Sequence, residues 1–246
     1  MTEKEKAIFE IQIYGFTIIE RVLSEEQADK MREALIYCDR EFGTNLTFGG
    51  SARHVSNLPT LDRIFHKTID HPRTLPVLEH FLGETLILGS VNSRIVRPND
   101  GYQNLHGDIP QVMLNMESPV MMNTVWMLDE FTSEIGATRC VPGSHKSGCA
   151  KPPEGLEIKY VVEAIAPIGS VIIFNGQTWH GGGRNTGTKN RHALFGHYRK
   201  QMCIFQNDPH DNFPREWFEN LTTRQKQLLR MTNGLRAPHA SDNHLR

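Results

Sequence analysis

The stretch TLILGSVNSRIVR, residues 85–97, opens the part of the chain that decides the fold. It is rich in β-branched residues and runs into the turn sequence PNDG, a pattern typical of a β-strand. Similar segments follow at PVMMNTVWML (119–128), EIKYVVEAI (157–165), SVIIF (170–174) and HALFGHYR (192–199). Many short strands separated by glycine and proline turns predict a β-sandwich or barrel.

The chain before this region is predicted to be partly helical. Residues 8–20, IFEIQIYGFTIIE, read as a β-branched segment interrupted at Gly15. Ser24 and Gln27 form a capping-box pair, and apolar residues recur after them at helical spacing. A helix is therefore predicted from residue 25 onward.

The remaining segments are shorter. Residues 43–60 read as a polar loop and 74–82 as a short helix. Thr222 and Gln225 repeat the capping-box pattern and predict a helix that ends near Gly234. The polar residues after that helix are expected to be disordered. Neither a repeat nor a linker divides the 246 residues, which predicts one domain.

That domain is predicted to have three parts. They are helical N-terminal support over about 1–84, a β-barrel core over about 85–200 and a C-terminal helical segment over about 214–234.

Composition excludes several function classes. Lysine plus arginine number 27 and aspartate plus glutamate 28, so no global field favours nucleic acid or a membrane surface. Four cysteines lie scattered without a C-x-x-C pair, which predicts free thiols. The first residues, MTEKEK, contain no apolar signal region, and no apolar run could span a membrane. A cytoplasmic protein is the expectation.

The segment Gln103-Asn104-Leu105-His106-Gly107-Asp108 is the first candidate site. Side chains two apart on an extended segment project to the same side, so His106 and Asp108 can ligate one metal ion. With 12 histidines in the chain, roughly one H-x-D match is expected by chance. The pair alone therefore does not indicate a metal site.

A second segment strengthens the prediction of a metal site at His106 and Asp108. His180 follows an apolar strand, and Arg191 lies at the start of the next strand. Two histidines and one carboxylate leave open positions on a metal and suit Fe(II) that activates oxygen. An arginine on the neighbouring strand suits a dicarboxylate that chelates the iron with its other end.

In these residues the chain resembles the phytanoyl-CoA dioxygenase-like branch of the Fe(II)/2-oxoglutarate-dependent oxygenases. The resemblance runs from GFTII at 15–19 to Tyr198 and includes GATR at 136–139 and VPGSH at 141–145. It implies a mostly β fold, a double-stranded β-helix (a jelly-roll, cupin-like barrel) with flanking α-helices. The Q-x-L-H form and the GATR segment look most like members that tailor natural products.

The resemblance also implies roles for individual residues. His106, Asp108 and His180 match the metal ligands, with Fe(II), 2-oxoglutarate and O2 as the cofactors and cosubstrates. Arg191 matches the residue that pairs with the distal carboxylate of 2-oxoglutarate. Gln103 and Thr138 match positions that contact this cosubstrate.

Two positions refine that expectation. Many relatives carry serine two residues after the second histidine, whereas this chain has Gly182. We hypothesise that the Thr138 hydroxyl takes its place. Related halogenases replace the carboxylate ligand with a small residue, so the retained Asp108 argues against halogenation.

Other conspicuous residues are given structural roles. His145 is interpreted as a turn residue, and His192 and His197 as packing or rim residues. Trp126 and its strand neighbours are interpreted as core.

The predicted reaction couples decarboxylation of 2-oxoglutarate to oxidation of a small organic metabolite. Hydroxylation, desaturation, epoxidation and rearrangement all stay open. A small, largely apolar intermediate of natural-product biosynthesis is the first choice, and an amino acid, fatty acyl or other primary metabolite the second. No nucleic acid or membrane partner is expected, and the oligomeric state, a homodimer included, is open.

Two rivals come from other classes. One is a non-catalytic, cupin-like metal-binding protein, which would not need Arg191. The other is a zinc hydrolase, which would need a general base beside the metal.

Overall fold

The computed structural model describes residues 1–45, 52–113 and 118–234. The α-helices are α1 (Glu3–Tyr14), α2 (Glu25–Phe42), α3 (Leu75–Leu82), α4 (Arg215–Phe218) and α5 (Thr223–Leu228). Short 3-10 helices cover Leu58–Thr60, Arg63–Thr68, Gln111–Met113 and Ser144–Lys146. The tail predicted to be disordered lies outside the described residues from 235 onward. Within the described ranges no helix is long and apolar enough to cross a membrane.

The strands form two antiparallel sheets. They are β1 (Phe16–Ile19), β2 (Thr44–Asn45), β3 (Arg53–His54), β4 (Ile87–Val96), β5 (Met121–Met127), β6 (Arg139–Cys140), β7 (Val162–Glu163), β8 (Val171–Asn175), β9 (His180–Gly181) and β10 (Arg191–Arg199). The large sheet has the order β1-β8-β5-β10-β4-β3-β2, and the small sheet has the order β7-β6-β9. This arrangement agrees with the predicted barrel class.

Alternation along the strands separates two apolar layers. On the large sheet, Trp126, Ile173 and Leu194 face outward and pack with residues of α1, α2 and α3. The neighbouring side chains face the other sheet and form an inner core. Its buried members from the large sheet are Phe16, Val125, Met127, Ile172, Phe174 and Ala193. The helices thus cover one face of the large sheet, and its inner face is left for the barrel interior.

The N-terminal segment corrects one prediction. Residues 8–14 are not extended but belong to α1, because Thr2 and Glu5 form a capping box that starts a helix earlier. The helix ends at Gly15, whose φ of 88° is the left-handed conformation that glycine adopts most easily. Only the second half of the predicted segment, β1, is a strand, and it pairs with β8.

A second prediction fails in the middle of the chain. Within the predicted strand at 157–165, only the two residues of β7 pair with another strand, and Tyr160 is 78% exposed. The large apolar side chains of Val161, Val162 and Ile165 are also exposed, whereas Ala164 is buried in the inner core. The two-residue strands β6 and β9 were not predicted, because a segment of that length carries no periodicity.

The helix predictions at the other capping boxes are confirmed in position. α2 begins after Ser24 and α5 after Thr222, each with the reciprocal side-chain hydrogen bonds of a capping box. α5 ends at Leu228, earlier than the predicted end near Gly234. α3 ends before Gly83, as predicted.

A β-bulge in β4 positions the loop that follows β10. β10 pairs His197 with Ser90 but Tyr198 with Leu88, so Gly89 is an extra residue. The Gly89 carbonyl accepts hydrogen bonds from the backbone N–H of Gln206 at 3.0 Å and of Asn207 at 3.2 Å. The bulge thereby fixes the loop that follows β10 against the mouth of the barrel.

Candidate active site

Three side chains converge at one end of the barrel. His106 and His180 form an isolated antiparallel bridge, with N–H to O distances of 3.0 and 2.9 Å in the two directions. The His106 Nε2 lies 3.5 Å from Asp108 Oδ1, and the His180 Nε2 lies 3.5 Å from Asp108 Oδ2. One ligand atom from each of the three residues lies within 4.8 Å of the others, a spacing that fits a single metal ion.

Backbone carbonyls set the orientation of both histidine rings. The His106 Nδ1 lies 2.8 Å from the Asn104 carbonyl oxygen, and the His180 Nδ1 lies 3.0 Å from that of Thr178. A carbonyl can only accept, so each Nδ1 carries the proton. Each Nε2 then presents a free lone pair toward Asp108. This is the outer hydrogen bonding that metal-binding histidines commonly have.

The carboxylate of the triad is held by a buried relay. Asn123 on β5 donates its Nδ2 to Asp108 Oδ2 at 2.6 Å, and His197 on β10 donates its Nδ1 to Asn123 Oδ1 at 2.9 Å. Burial alone would raise the pKa of Asp108, but His180, His197, His106 and Arg94 together hold the pKa below its ordinary value. Asp108 is therefore an anion ready to bind a cation.

His197, which was interpreted from the sequence as a packing or rim residue, lines the same cavity as the triad. Burial, more than any neighbouring charge, lowers the pKa of His197 to about 4, so the ring is neutral at physiological pH. The missed signal was its parity, because His197 and Arg191 lie six residues apart on one strand and share a face.

Glycine allows the two ligand segments to come together. A side chain on Gly181 would place its Cβ 2.7 Å from the Gln103 carbonyl oxygen, which is too close for any other residue. The segment that carries His106 can therefore lie directly against β9.

Arg191 lies at the closed end of the cavity. It is fully buried, and its Nη1 donates to the Gly136 carbonyl at 2.6 Å and lies 3.5 Å from the Thr138 hydroxyl oxygen. Its Nε and Nη2 are buried without a hydrogen-bond partner. Burial and the nearby Arg94 lower the pKa of Arg191 to about 9, so it is still a cation at neutral pH. Two unsatisfied N–H groups on a buried cation suit an incoming carboxylate.

Gln103 connects the two ends of the cavity. Its Oε1 accepts a hydrogen bond from the Gly182 N–H at 3.2 Å and another from Arg94 Nη1. A Cβ added at Gly182 would lie 3.7 Å from the Gln103 side chain, an ordinary contact, so the missing serine is not excluded by space. The Thr138 hydroxyl lies near Arg191. That it takes the place of the serine absent at Gly182 stays a prediction.

All six predicted site residues line one cavity of about 400 Å³. They are Gln103, His106, Asp108, Thr138, His180 and Arg191. Six further lining side chains from β3, β4, β10 and the loop after β10 were not predicted. They are His54, Asn92, Ser93, Arg94, Phe195 and Gln206. Asn92 and Arg94 share a face of β4 by parity, but which face turns inward depends on the bulge at Gly89.

The structural roles predicted for other residues fit their positions. His145 lies in a 3-10 helix beside Gly15, outside the cavity lining. The His192 ring contacts Asp129 at 2.8 Å. Trp126 is completely buried between sheet and helices.

Comparison with known proteins decides the family. The family model described as "Phytanoyl-CoA dioxygenase (PhyH)" matches residues 11–193, about three quarters of the chain. The chain belongs to the phytanoyl-CoA dioxygenase family. The predicted family is thereby confirmed.

Relatives of this phytanoyl-CoA dioxygenase family member include two fungal dioxygenases. Dioxygenase af480 of Aspergillus fumigatus is 27% identical over 72% of this chain and 58% of its own length. The chain thus spans little more than half of that relative. Dioxygenase cdmA of Talaromyces verruculosus is 25% identical over 95% of this chain and 85% of its own length.

Solved structures confirm the fold. HygX from Streptomyces hygroscopicus, with nickel and 2-oxoglutarate bound, has a TM-score of 0.71 at 16% identity and covers 84% of this chain and 90% of its own. The epimerase SnoN from nogalamycin biosynthesis has a TM-score of 0.67 at 18% identity over 80% of each chain. The predicted barrel with flanking helices is therefore the correct architecture.

Proposed function

We propose that this family member is an Fe(II)- and 2-oxoglutarate-dependent dioxygenase that oxidises a small organic metabolite. One observation carries the proposal. Three metal-binding side chains and a buried arginine with two unpartnered N–H groups face the same cavity. The three side chains would hold a metal ion that binds one end of a dicarboxylate, and Arg191 would pair with the other end. A dicarboxylate would thus use all of these groups.

The metal ligands in this proposal are His106, Asp108 and His180. Their three donors occupy one side of an ion and leave positions open for the cosubstrate and O2. When bound, the iron supplies oxidation by O2, driven by conversion of 2-oxoglutarate to succinate and carbon dioxide. Asn123 holds the carboxylate of Asp108, and the backbone carbonyls of Asn104 and Thr178 hold the two rings.

The cosubstrate is proposed to bind at the closed end of the cavity. Arg191 would pair with its distal carboxylate through Nε and Nη2, the two atoms that lack a partner. Thr138 and Gln103 would add hydrogen bonds. Phe131, whose ring lies 4.6 Å from the guanidinium carbon of Arg191, screens this ion pair from water and strengthens it.

Natural-product biosynthesis is the proposed setting. HygX has been solved with hygromycin B bound, and SnoN with nogalamycin RO, Fe3+ and α-ketoglutarate. Both neighbours thus accept a small organic molecule as well as a metal. Hydroxylation, desaturation, epoxidation and rearrangement depend on how a substrate is placed in the cavity.

The rival classes are disfavoured by the same geometry. A zinc hydrolase needs a general base, and Asp108 is the one carboxylate among the described residues that line the cavity. A passive metal-binding module gives no reason for a buried arginine that lacks a counterion. Both rivals lack a use for the two unpartnered N–H groups of Arg191.

Succinate formation tests the proposal. Purified protein with Fe(II), O2 and 2-oxoglutarate should release succinate, even without a primary substrate. His180→Ala should lower the rate at least about 1,000-fold by removing a metal ligand, whereas His80→Ala, an exposed histidine on α3, should keep it. Equal rates in wild type and His180→Ala, or no succinate from either, would contradict the proposal.

A further inference from the structure

A second arginine faces the cavity from β4, the strand that pairs directly with β10, on which Arg191 lies. Arg94 lies on β4, where Ser90, Asn92 and Arg94 share the inward face below the bulge at Gly89. Its Nη1 donates to Gln103 Oε1, and its guanidinium carbon lies 5.8 Å from the centre of the Phe195 ring. In the part of the chain that the structure describes, Arg94 has no salt bridge. Arg94 is thus a cation with a neutral partner.

The charges of the loaded site do not balance without a further anion. A divalent ion, Arg191 and Arg94 contribute four positive charges, whereas Asp108 and the 2-oxoglutarate dianion contribute three negative charges. The two histidine ligands are neutral donors. One positive charge is therefore left in a partly buried cavity, where an uncompensated charge is costly.

The surroundings of Arg94 are polar. Gln206 Oε1 accepts from the Ser90 hydroxyl at 2.6 Å and lies 3.4 Å from Asn92 Nδ2. The imidazole of His54 is a further polar group here, and its Nδ1 lies 2.8 Å from the Ser93 carbonyl oxygen. Phe195 is the one large apolar side chain among the described residues that line the cavity. The side chains around Arg94 thus offer several hydrogen-bonding groups to a polar molecule.

We propose that Arg94 binds a carboxylate of the primary substrate, which makes that substrate a polar organic acid. This inference rests on the proposed function and names the substrate class for the same site. It reverses the order predicted from the sequence, in which an apolar intermediate came before an amino acid or its derivative. A carboxylate on Arg94 supplies the missing negative charge and leaves the rest of the molecule between Gln206 and the metal.

Arg94 and Arg191 are suited to different carboxylates. Arg191 is enclosed by Gly136, Thr138 and Phe131, with two N–H groups available at the closed end. Arg94 lies beside the loop that follows β10, which contributes Gln206 to the mouth.

Thermal unfolding with small probes tests the inference. Wild-type protein, loaded with Ni(II) and saturating 2-oxoglutarate, would be titrated with acetate, propionate and benzoate, and with acetamide, propionamide and benzamide, at constant ionic strength. At least one carboxylate should raise Tm saturably by about 3 °C at ten times its Kd, and its matched amide should not.

Substitutions locate the anion. Arg94→Gln should abolish the carboxylate shift, because the amide can still donate to Gln103 but carries no charge. Arg97→Gln, at a position after the same strand and outside the cavity lining, should keep the shift. A carboxylate shift that survives in Arg94→Gln would place the anion on the metal and overturn the inference. The absence of any shift specific to carboxylates would overturn it too.

A separate arm tests the function on which the inference rests. In wild type and in Arg94→Gln, 2-oxoglutarate should raise Tm in the presence of Ni(II). Loss of that shift in wild type contradicts the proposed function. A normal 2-oxoglutarate shift in wild type that Arg94→Gln loses would assign Arg94 to the cosubstrate and overturn only the inference about the substrate.

Discussion

The neighbouring strands β10 and β4 each carry one arginine into the cavity, and the two arginines differ in enclosure. We call the surroundings of Arg191 the closed wall and those of Arg94 the open wall. Arg191 is completely buried and touches Gly136, Thr138 and Phe131, whereas Arg94 is partly exposed near the loop that carries Gln206. A closed site suits a ligand that is the same in every turnover. An open site, built in part from a loop, suits the ligand that differs between relatives. Enclosure therefore divides cosubstrate from substrate.

Removing the buried charge should have the largest effect on cosubstrate binding. Arg191→Gln is expected to weaken binding of 2-oxoglutarate to the Ni(II)-loaded protein about 100-fold or more, since a desolvated ion pair is lost. Titration calorimetry measures this. Arg94→Gln should stay within about threefold of wild type in the same titration, and equal losses in both variants would break the division between the walls.

An intermediate effect is expected at Asn123, which donates a hydrogen bond to the metal-binding carboxylate of Asp108. Asn123→Leu removes the donor to Asp108 and leaves His197 without its partner, so metal affinity should fall roughly 10- to 100-fold. Competition with a metal-binding dye measures the affinity. Unchanged affinity would show that the relay from β5 and β10 does not support the carboxylate.

The smallest effect is expected at Thr138. Thr138→Val keeps the shape and removes the hydroxyl near Arg191, so 2-oxoglutarate affinity should fall about fivefold, the value of one hydrogen bond. The same calorimetric titration checks it, with Thr186→Val, outside the cavity lining, as the matched variant. Affinity equal to wild type would mean that Thr138 does not replace the serine absent at Gly182.

The sequence predicted the closed wall better than the open one. His106 and Asp108 were found because side chains two apart on an extended segment project to the same side. His180 and Arg191 were found because one follows a predicted strand and the other begins the next. Thr138 and Gln103 depended on the family resemblance. The structure brings all of them to one cavity.

The open wall could not be predicted because its geometry is not local. The bulge at Gly89 switches which residues of β4 face inward, and nothing in TLILGSVNSRIVR marks it before the pairing with β10 is known. Gln206 is held at the cavity by the hydrogen bond of its N–H to that bulge and by side-chain contacts with Ser90 and Asn92. The helix at residues 8–14 was missed for a related reason, since its β-branched residues conceal a capping box at Thr2.

Binding of 2-oxoglutarate with and without metal tests the central claim most directly. Wild-type protein, freed of metal by a chelator, should bind 2-oxoglutarate weakly, because Arg191 alone holds one carboxylate. One equivalent of Fe(II) under anaerobic conditions should increase the affinity at least about 100-fold and produce a visible charge-transfer band in one-to-one stoichiometry. Binding that is independent of metal, or metal binding without any effect on 2-oxoglutarate, would contradict the account.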